Sequence, residues 1–347
     1  MRRKEKMRAA IVDPYLDTLG GGERYSMAVA LALVSKDYTV DVQWKSPSIK
    51  KRLEDRFGID LEGINFVKDV KRGDGYEVCF WVSDGSVPTL LARKNFLHFQ
   101  VPFHGVNGKT LLNKMKLWRI KKIIVNSNFT KGVIDKEYGV DSVVVYPPVA
   151  VEKIKPKIKK NIILFVGRFS ELKQAKNQDI LVKAFKRLYD SGYPEWSLVL
   201  AGGAEVGGRD YVQRVKKISE GYPIEIIDGP SFKEIAALYG TAKIFWSAVG
   251  FGIKEEKEPE KVEHFGITLV EAMAAGAVPV VFSAGGYKET VKDGKNGFLW
   301  KDMRSFLKIT KKLIGDKGNM LSISRQAKQD SRRYSYERFN QEFLSLV

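Results

Sequence analysis

Val262-Glu263-His264-Phe265-Gly266-Ile267-Thr268-Leu269-Val270-Glu271-Ala272-Met273-Ala274-Ala275-Gly276 places two carboxylates and a helix start in one short segment. Gly266 interrupts the preceding loop, Ile267 to Ala275 are good helix formers, and Gly276 stands at the expected C′ position. The spacing predicts a helix from Ile267. Amides of its first turn have no partner inside the helix and the dipole is positive there, so an anion such as a diphosphate is favoured in front of it. Glu271 falls one turn into that helix, and Glu263 lies seven intervening residues upstream, in the loop. The two acids can therefore flank one ligand from different sides. A carboxylate accepts two hydroxyl hydrogen bonds, which suits the diol of a ribose or hexose. Taken alone, the pair reads equally well as a solvated loop acid and a surface helix acid.

The residues that follow alter that balance. Val278-Pro279-Val280-Val281-Phe282 is a short buried-strand signal, and Ser283-Ala284-Gly285-Gly286-Tyr287-Lys288-Glu289-Thr290-Val291 is a glycine turn leading into a helix. Here the chain resembles the retaining glycosyltransferases of family 4, whose nucleotide-binding half carries a Glu-x7-Glu motif, then a Pro-Val-Val strand and a Gly-Gly turn. The resemblance implies that Glu271 binds the nucleotide ribose and Glu263 contacts the donor sugar, while the amides near Phe265, Gly266 and Ile267 face the diphosphate.

At 347 residues the chain is long enough for two α/β domains, each with its own core. A single cysteine, Cys79 in the apolar run Val78-Cys79-Phe80-Trp81, excludes an intramolecular disulfide and a cysteine zinc cluster and reads as a core thiol in a reducing compartment. The start, Met1-Arg2-Arg3-Lys4-Glu5-Lys6-Met7, is charged with no apolar stretch behind it, and no run approaches the ~18 apolar residues of a membrane span. The expected location is cytoplasmic, either free or peripheral at the inner membrane face. A formal charge of +18 calls for an anionic partner: nucleic acid, an acidic membrane or phosphorylated substrates. Lys114-Met115-Lys116-Leu117-Trp118-Arg119-Ile120 alternates basic and apolar residues and suits either lipid headgroups or a solvated basic face. No nucleic-acid module signature is present.

Strand and helix patterns alternate along the first half: strands at 8–12, 38–43, 64–67, 77–82, 95–100, 123–125 and 142–146, helices at 23–34 and 48–57. Such alternation indicates a mostly parallel sheet covered on both faces. Tyr146-Pro147-Pro148-Val149 ends this series, and a second begins with strands at 161–166, 197–201, 224–227, 244–247 and 278–282. The fold class is thus α/β, with two doubly wound Rossmann-like domains. The resemblance, which covers nearly the whole chain, implies that they face a cleft in the GT-B arrangement: an acceptor-side domain at 1–150, a nucleotide-sugar domain at 151–330, and a terminal helix at 331–347 returning to the first.

Further candidates follow each strand. Gly20-Gly21-Gly22-Glu23-Arg24 opens a helix after the first strand, where glycine lets a backbone approach a ligand. Its spacing does not fit the dinucleotide fingerprint, and the resemblance implies that Gly21 and Gly22 border the donor phosphate and acceptor. His98, near the end of its strand, reads either as a hydrogen-bonded core histidine or as a group pointing into a ligand crevice. The resemblance implies the second, close to the transferred sugar, with His104 as fallback. Arg168, in Phe165-Val166-Gly167-Arg168-Phe169-Ser170, and a downstream lysine would neutralise a diphosphate leaving group. The family spacing gives Lys173, whereas the helix register after Lys176-Asn177-Gln178 gives Lys176, the preferred assignment. Gly202, in Ala201-Gly202-Gly203-Ala204, is either a tight turn or a point of close approach for base or phosphates. The charged stretch Lys254 to Lys261 reads as a mobile lid or as solvated filler. No Asp-x-Asp occurs, so protein cations are expected in place of a metal, with no cofactor.

The expected activity is metal-independent transfer of a hexose from a GDP- or UDP-sugar to a glycan or polyprenyl-linked acceptor. An anionic membrane surface is a further candidate partner, and nucleic acid is not expected. The competing readings are a nucleotide-sugar epimerase of the same architecture and a basic nucleic-acid-binding protein.

Overall fold

The computed structural model describes residues 6–171, 174–204 and 208–347. The chain divides into two compact units. One comprises the chain up to Pro148 together with Tyr336–Val347, and the other is Val149–Ser335.

In the first unit the elements run β1 (Arg8–Val12), α1 (Gly21–Val34), β2 (Thr39–Gln43), α2 (Ile49–Phe57), β3 (Ile64–Val67), β4 (Val78–Val82), β5 (Lys94–Phe99), α3 (Leu111–Leu117), β6 (Ile120–Val125), α4 (Asn128–Tyr138) and β7 (Val143–Val144). Among the described residues they form a seven-stranded sheet in the order β3-β2-β1-β4-β5-β6-β7, every pairing parallel. The central strands are apolar on both faces, as a sheet covered on both sides requires. In β4, Val78, Cys79 and Phe80 are fully buried. Burial pushes the Cys79 thiol up to about 12, so it packs as a core thiol. The strand expected at 142–146 shrinks to Val143–Val144 at the sheet edge, where Pro147 and Pro148 end the pairing.

The second unit runs β8 (Lys160–Val166), α5 (Gln178–Asp190), β9 (Ser197–Gly202), α6 (Arg209–Ser219), β10 (Ile224–Asp228), α7 (Phe232–Thr241), β11 (Ala242–Ser247), α8 (Ile267–Ala274), β12 (Val278–Phe282), α9 (Tyr287–Thr290), β13 (Phe298–Trp300), α10 (Met303–Gly315) and α11 (Lys317–Ser331). Its strands lie in the order β10-β9-β8-β11-β12-β13, again all parallel. The last helix, α12 (Tyr336–Leu346), belongs to the first unit. Its Phe339 stands edge-on to Tyr25 of α1 at 5.1 Å, and its Phe343 edge-on to Phe80 of β4 at 5.9 Å.

In both sheets the strand order reverses between two neighbours, β1 and β4 in one and β8 and β11 in the other. Two crossovers diverge at such a point and leave a crevice at the strands' carboxyl ends, where open α/β sheets bind ligands. The described residues that follow β8, 167–171 and 174–177, and the loop after β11, 248–266, lie at that edge of the second sheet. They carry Arg168, Lys176 and Glu263. Among the described residues no helix is long and apolar enough to cross a membrane.

Candidate active site

The predicted helix start is present: α8 begins at Ile267, and Gly266 caps it at φ 97°, ψ 62° without any side-chain cap. That conformation is costly for a residue with a Cβ, and a Cβ here would also lie 2.6 Å from the Tyr287 ring. Glycine is therefore the residue that lets the loop turn sharply into the helix, leaving the first-turn amides aimed out of the helix end. The loop is braced from behind. Gly286 donates its amide to the Glu263 carbonyl at 2.7 Å, and an added Cβ on Gly285 would sit 2.1 Å from that same oxygen. The Gly-Gly turn is thus shaped to receive the backbone of the Glu263 loop.

Glu263 faces Lys176, whose Nζ lies 3.0 Å from Oε2, with the two side chains 16% and 12% exposed. Burial alone would push the Glu263 carboxyl up. The Lys176 ammonium, with His264 and Arg168 adding positive charge, outweighs that effect and holds it below the usual carboxylate range. Gln174 fixes the lysine: its Oε1 accepts from Nζ at 2.7 Å, while its Nε2 donates to the Val262 carbonyl. Two loops from neighbouring strands are therefore tied at the very side chains that carry charge. Arg168 is exposed, and its backbone is held by Gln178, which donates to the Arg168 carbonyl at 2.9 Å. Gly202 serves the same loop through space rather than conformation, because a Cβ there would meet the Gly167 carbonyl oxygen at 2.0 Å. Two backbone segments of this unit can therefore pack closely at Gly202. Lys173 lies outside the described residues.

Glu271, 6% exposed, accepts a hydrogen bond from the Tyr239 hydroxyl at 2.9 Å. A surface helix acid is thereby excluded; this carboxylate is built into the unit. Tyr239 is held in turn. The Lys159 ammonium donates to the Ala242 and Ala275 carbonyls at 2.7 Å and to that of Tyr239 at 3.3 Å, joining the ends of α7 and α8. Burial draws Lys159 down to about 8. Tyr239, Gln174 and Lys159 carry no sequence signal, because their roles arise from partners 32, 88 and 116 residues distant.

The charged stretch before Glu263 is not solvated filler throughout. Glu255 accepts the Gly285 amide at 2.8 Å and pairs with Lys288. The charge on this loop fastens it to the Gly-Gly turn.

In the first unit, Gly20 precedes α1 and Gly21 and Gly22 open it. Gly22 is packed against Gln100, which donates to its carbonyl at 3.0 Å. Glu23 accepts the Gly20 amide and is 5% exposed. Burial, and then the negative charge of Asp13, raise it to about 7. Asp13, also raised by burial, accepts from the Ser26 hydroxyl at 2.6 Å and the Tyr15 amide at 3.0 Å.

The expectation for His98 is corrected here. Its ring is fully buried, stacked on Tyr25 at 4.1 Å and on Phe80 at 5.4 Å, and its Nδ1 lies 3.1 Å from the Ile124 carbonyl. Burial lowers it to about 3, so it is neutral and packed beneath α1 rather than presented to a sugar. The alternation of β5 turns this position to the covered face of the sheet. His104, the fallback, is exposed on the surface with its Nδ1 3.5 Å from Glu137.

The second unit therefore gathers an anion-favouring helix start, two cations, and two carboxylates held at different depths, one paired with lysine and one with tyrosine. Comparison with known proteins gives the same region. The sequence profile of "Glycosyl transferases group 1" matches residues 150–330. A GDP-Man:Man(3)GlcNAc(2)-PP-Dol α-1,2-mannosyltransferase of Dictyostelium discoideum is 27% identical over 247 residues, covering 65% of this chain and 47% of the relative. An α-1,3/1,6-mannosyltransferase of Schizosaccharomyces pombe is 25% identical over 229 residues, 58% of this chain and 43% of the relative. The chain thus spans less than half the length of these two curated relatives. Among solved structures, the Anabaena protein HepE in complex with UDP and glucose shares the fold over 98% of each chain, with a TM-score of 0.76 at 18% identity.

Proposed function

The chain belongs to the group 1 glycosyl transferases, and from that premise we propose that it transfers a mannose from GDP-mannose to a polyprenyl-linked glycan, with retention at the anomeric carbon and without a metal. The observation that carries the proposal is the Lys176–Glu263 pair at 3.0 Å, its carboxylate on the loop that leads into the start of α8, which no side chain caps. In this reading Arg168, Lys176 and the α8 amides take the negative charge that develops on the diphosphate as its bond to the sugar breaks. Glu263 orients the sugar hydroxyls, and Glu271 accepts from the ribose diol.

The chemistry needs no covalent group from the chain. The acceptor hydroxyl oxygen forms its bond to the anomeric carbon on the face from which the diphosphate departs. Its proton passes to the departing phosphate oxygen, and the electron pair of the broken bond leaves with the nucleotide. Attack on the leaving-group face preserves the configuration. The choice of mannose and of a lipid-linked acceptor rests on the names of the two curated relatives, one of which states GDP-Man as donor. A lipid-linked acceptor supports a reaction at a membrane surface, which we propose to be the cytoplasmic face.

Incubation with radiolabelled GDP-mannose or UDP-glucose, with and without polyprenyl-diphosphate glycans and in the presence of EDTA, tests this. The expected result is label transfer from GDP-mannose to the lipid acceptor, unaffected by EDTA. Turnover of UDP-glucose alone overturns the donor assignment, and appearance of only a 2-epimer overturns transfer itself.

A further inference from the structure

Helix α3 does not serve the fold in the way the other helices of its unit do. None of its residues is buried, yet it is well fixed. Thr110 caps it, accepting the Asn113 amide at 3.2 Å, and the Asn113 side chain donates back to the Gly108 carbonyl at 3.1 Å. On this rigid support Leu111 is 75%, Leu112 60%, Met115 64% and Trp118 93% exposed. Leu111, Met115 and Trp118 stand at i, i+4 and i+7, so they form one stripe along the helix with Leu112 at its margin. Large apolar side chains gathered in this way mark a surface that meets something.

Charge identifies the partner. From Gly105 to Lys122 there are six basic residues and no acid. At 100° per residue Lys114 and Lys116 lie on either side of the apolar stripe, and Lys109 and Arg119 stand at its two ends. Arg119 is held in place by its Nε, which donates to the Leu90 carbonyl at 3.0 Å. The neighbouring acid, Glu137, is turned to the Gly105 and Val106 amides and to His104. A second copy would bring two such positive rims together and be repelled. Nucleic acid would find one aromatic ring for stacking beside three aliphatic side chains that it cannot use. An anionic lipid surface matches both parts: headgroup phosphates meet the lysines while the stripe enters the boundary with the acyl chains.

We propose that α3 is a membrane-docking element for anionic bilayers, lying in the headgroup plane with Leu111, Met115 and Trp118 inserted. The proposal is independent of the donor site, since none of these side chains belongs to it.

Co-sedimentation of the full chain with vesicles of phosphatidylcholine alone, or of phosphatidylcholine with phosphatidylglycerol, tests it. The expected result is binding to the anionic vesicles only. That binding should weaken roughly tenfold or more both in Leu111→Ser/Met115→Ser/Trp118→Ser and in Lys114→Glu/Lys116→Glu. Thermal unfolding of both variants should stay at the wild-type midpoint, because Leu117, the side chain of α3 that packs on the core, is left in place, so loss of folding is separable from loss of docking. Anionic-vesicle binding that survives both sets of substitutions overturns the proposal. So does absence of vesicle binding alongside self-association or duplex binding that the same variants abolish.

Discussion

The Tyr239 hydroxyl donates to the Glu271 carboxylate at 2.9 Å, joining the last part of α7 to the helix that starts at the candidate diphosphate position. That contact fixes the orientation of the carboxylate within the unit. A hydrogen bond to a carboxylate contributes about 1.5–3 kcal/mol. Tyr239→Phe should therefore raise the KM for the donor roughly tenfold with kcat little changed, since the ribose contact proposed for Glu271 would be the same in ground and transition states. Glu271→Ala should abolish measurable donor binding by calorimetry while the far-UV spectrum persists and the melting midpoint falls only by the few degrees that one lost buried hydrogen bond costs. An unchanged Kd in Glu271→Ala removes the ribose role.

Lys176 and Glu263 make a second, different test. Lys176→Met leaves the part-buried Glu263 carboxylate without its ammonium, so burial is opposed only by the weaker influence of His264 and Arg168 and the carboxyl titrates upward. In the wild type the lowered value gives stability that is present above the ordinary value of 4.5 and lost as pH falls through the folded value. Lys176→Met should lose that contribution, melting lower at neutral pH and less sensitively on acidification. Its kcat/KM should fall by about 10²–10³, the usual effect of removing one group that stabilises a leaving anion. Denaturation midpoints across the acid range and single-turnover rates check both.

Much of this was legible in the chain. Alternating apolar strands and amphipathic helices carried two doubly wound sheets, because a parallel sheet covered on both faces leaves little freedom in composition. The stretch from Val262 to Gly276 carried its helix start through Gly266, whose backbone conformation is one only glycine adopts readily. What escaped was the second layer of support. Tyr239, Gln174 and Lys159 act through tertiary partners far along the chain, and nothing in local spacing marks a tyrosine that will meet a glutamate. His98 misled for a related reason. A histidine at a strand end points to a crevice or to the core according to which face of the sheet it occupies, and that was decided by α1 covering it.

As a core residue His98 makes its own prediction. Its folded-state value near 3 lies below the ordinary 6.5, so the unfolded chain binds the extra proton between those limits, and stability is lost as pH falls through that window. His98→Phe should remove this acid sensitivity. It should also keep kcat within about twofold, since an aromatic ring of similar size refills the stack with Tyr25 and Phe80 at a cost of roughly 1–2 kcal/mol. Urea titrations at several pH values, with donor turnover alongside, provide the measurement. A loss of kcat by orders of magnitude with unchanged stability would restore the catalytic reading.

Glu23 has the opposite sign. Burial, and then Asp13, lift its carboxyl to about 7 from an ordinary 4.5, so between these limits the folded chain holds a proton that the unfolded chain has released. The associated stability is fully present below 4.5 and is lost as pH rises through 7, a change on the order of 3 kcal/mol. Glu23→Gln keeps an acceptor for the Gly20 amide and cannot ionise, so its unfolding midpoint should no longer fall over that interval. Because His98 titrates across part of the same interval with reversed slope, the comparison is cleanest in a His98→Phe background. There the parent should lose stability steadily toward neutrality and the Glu23→Gln derivative should not; parallel curves would mean that Glu23 is ionised throughout and that the Gly20 loop is held by a charge rather than by a neutral acid.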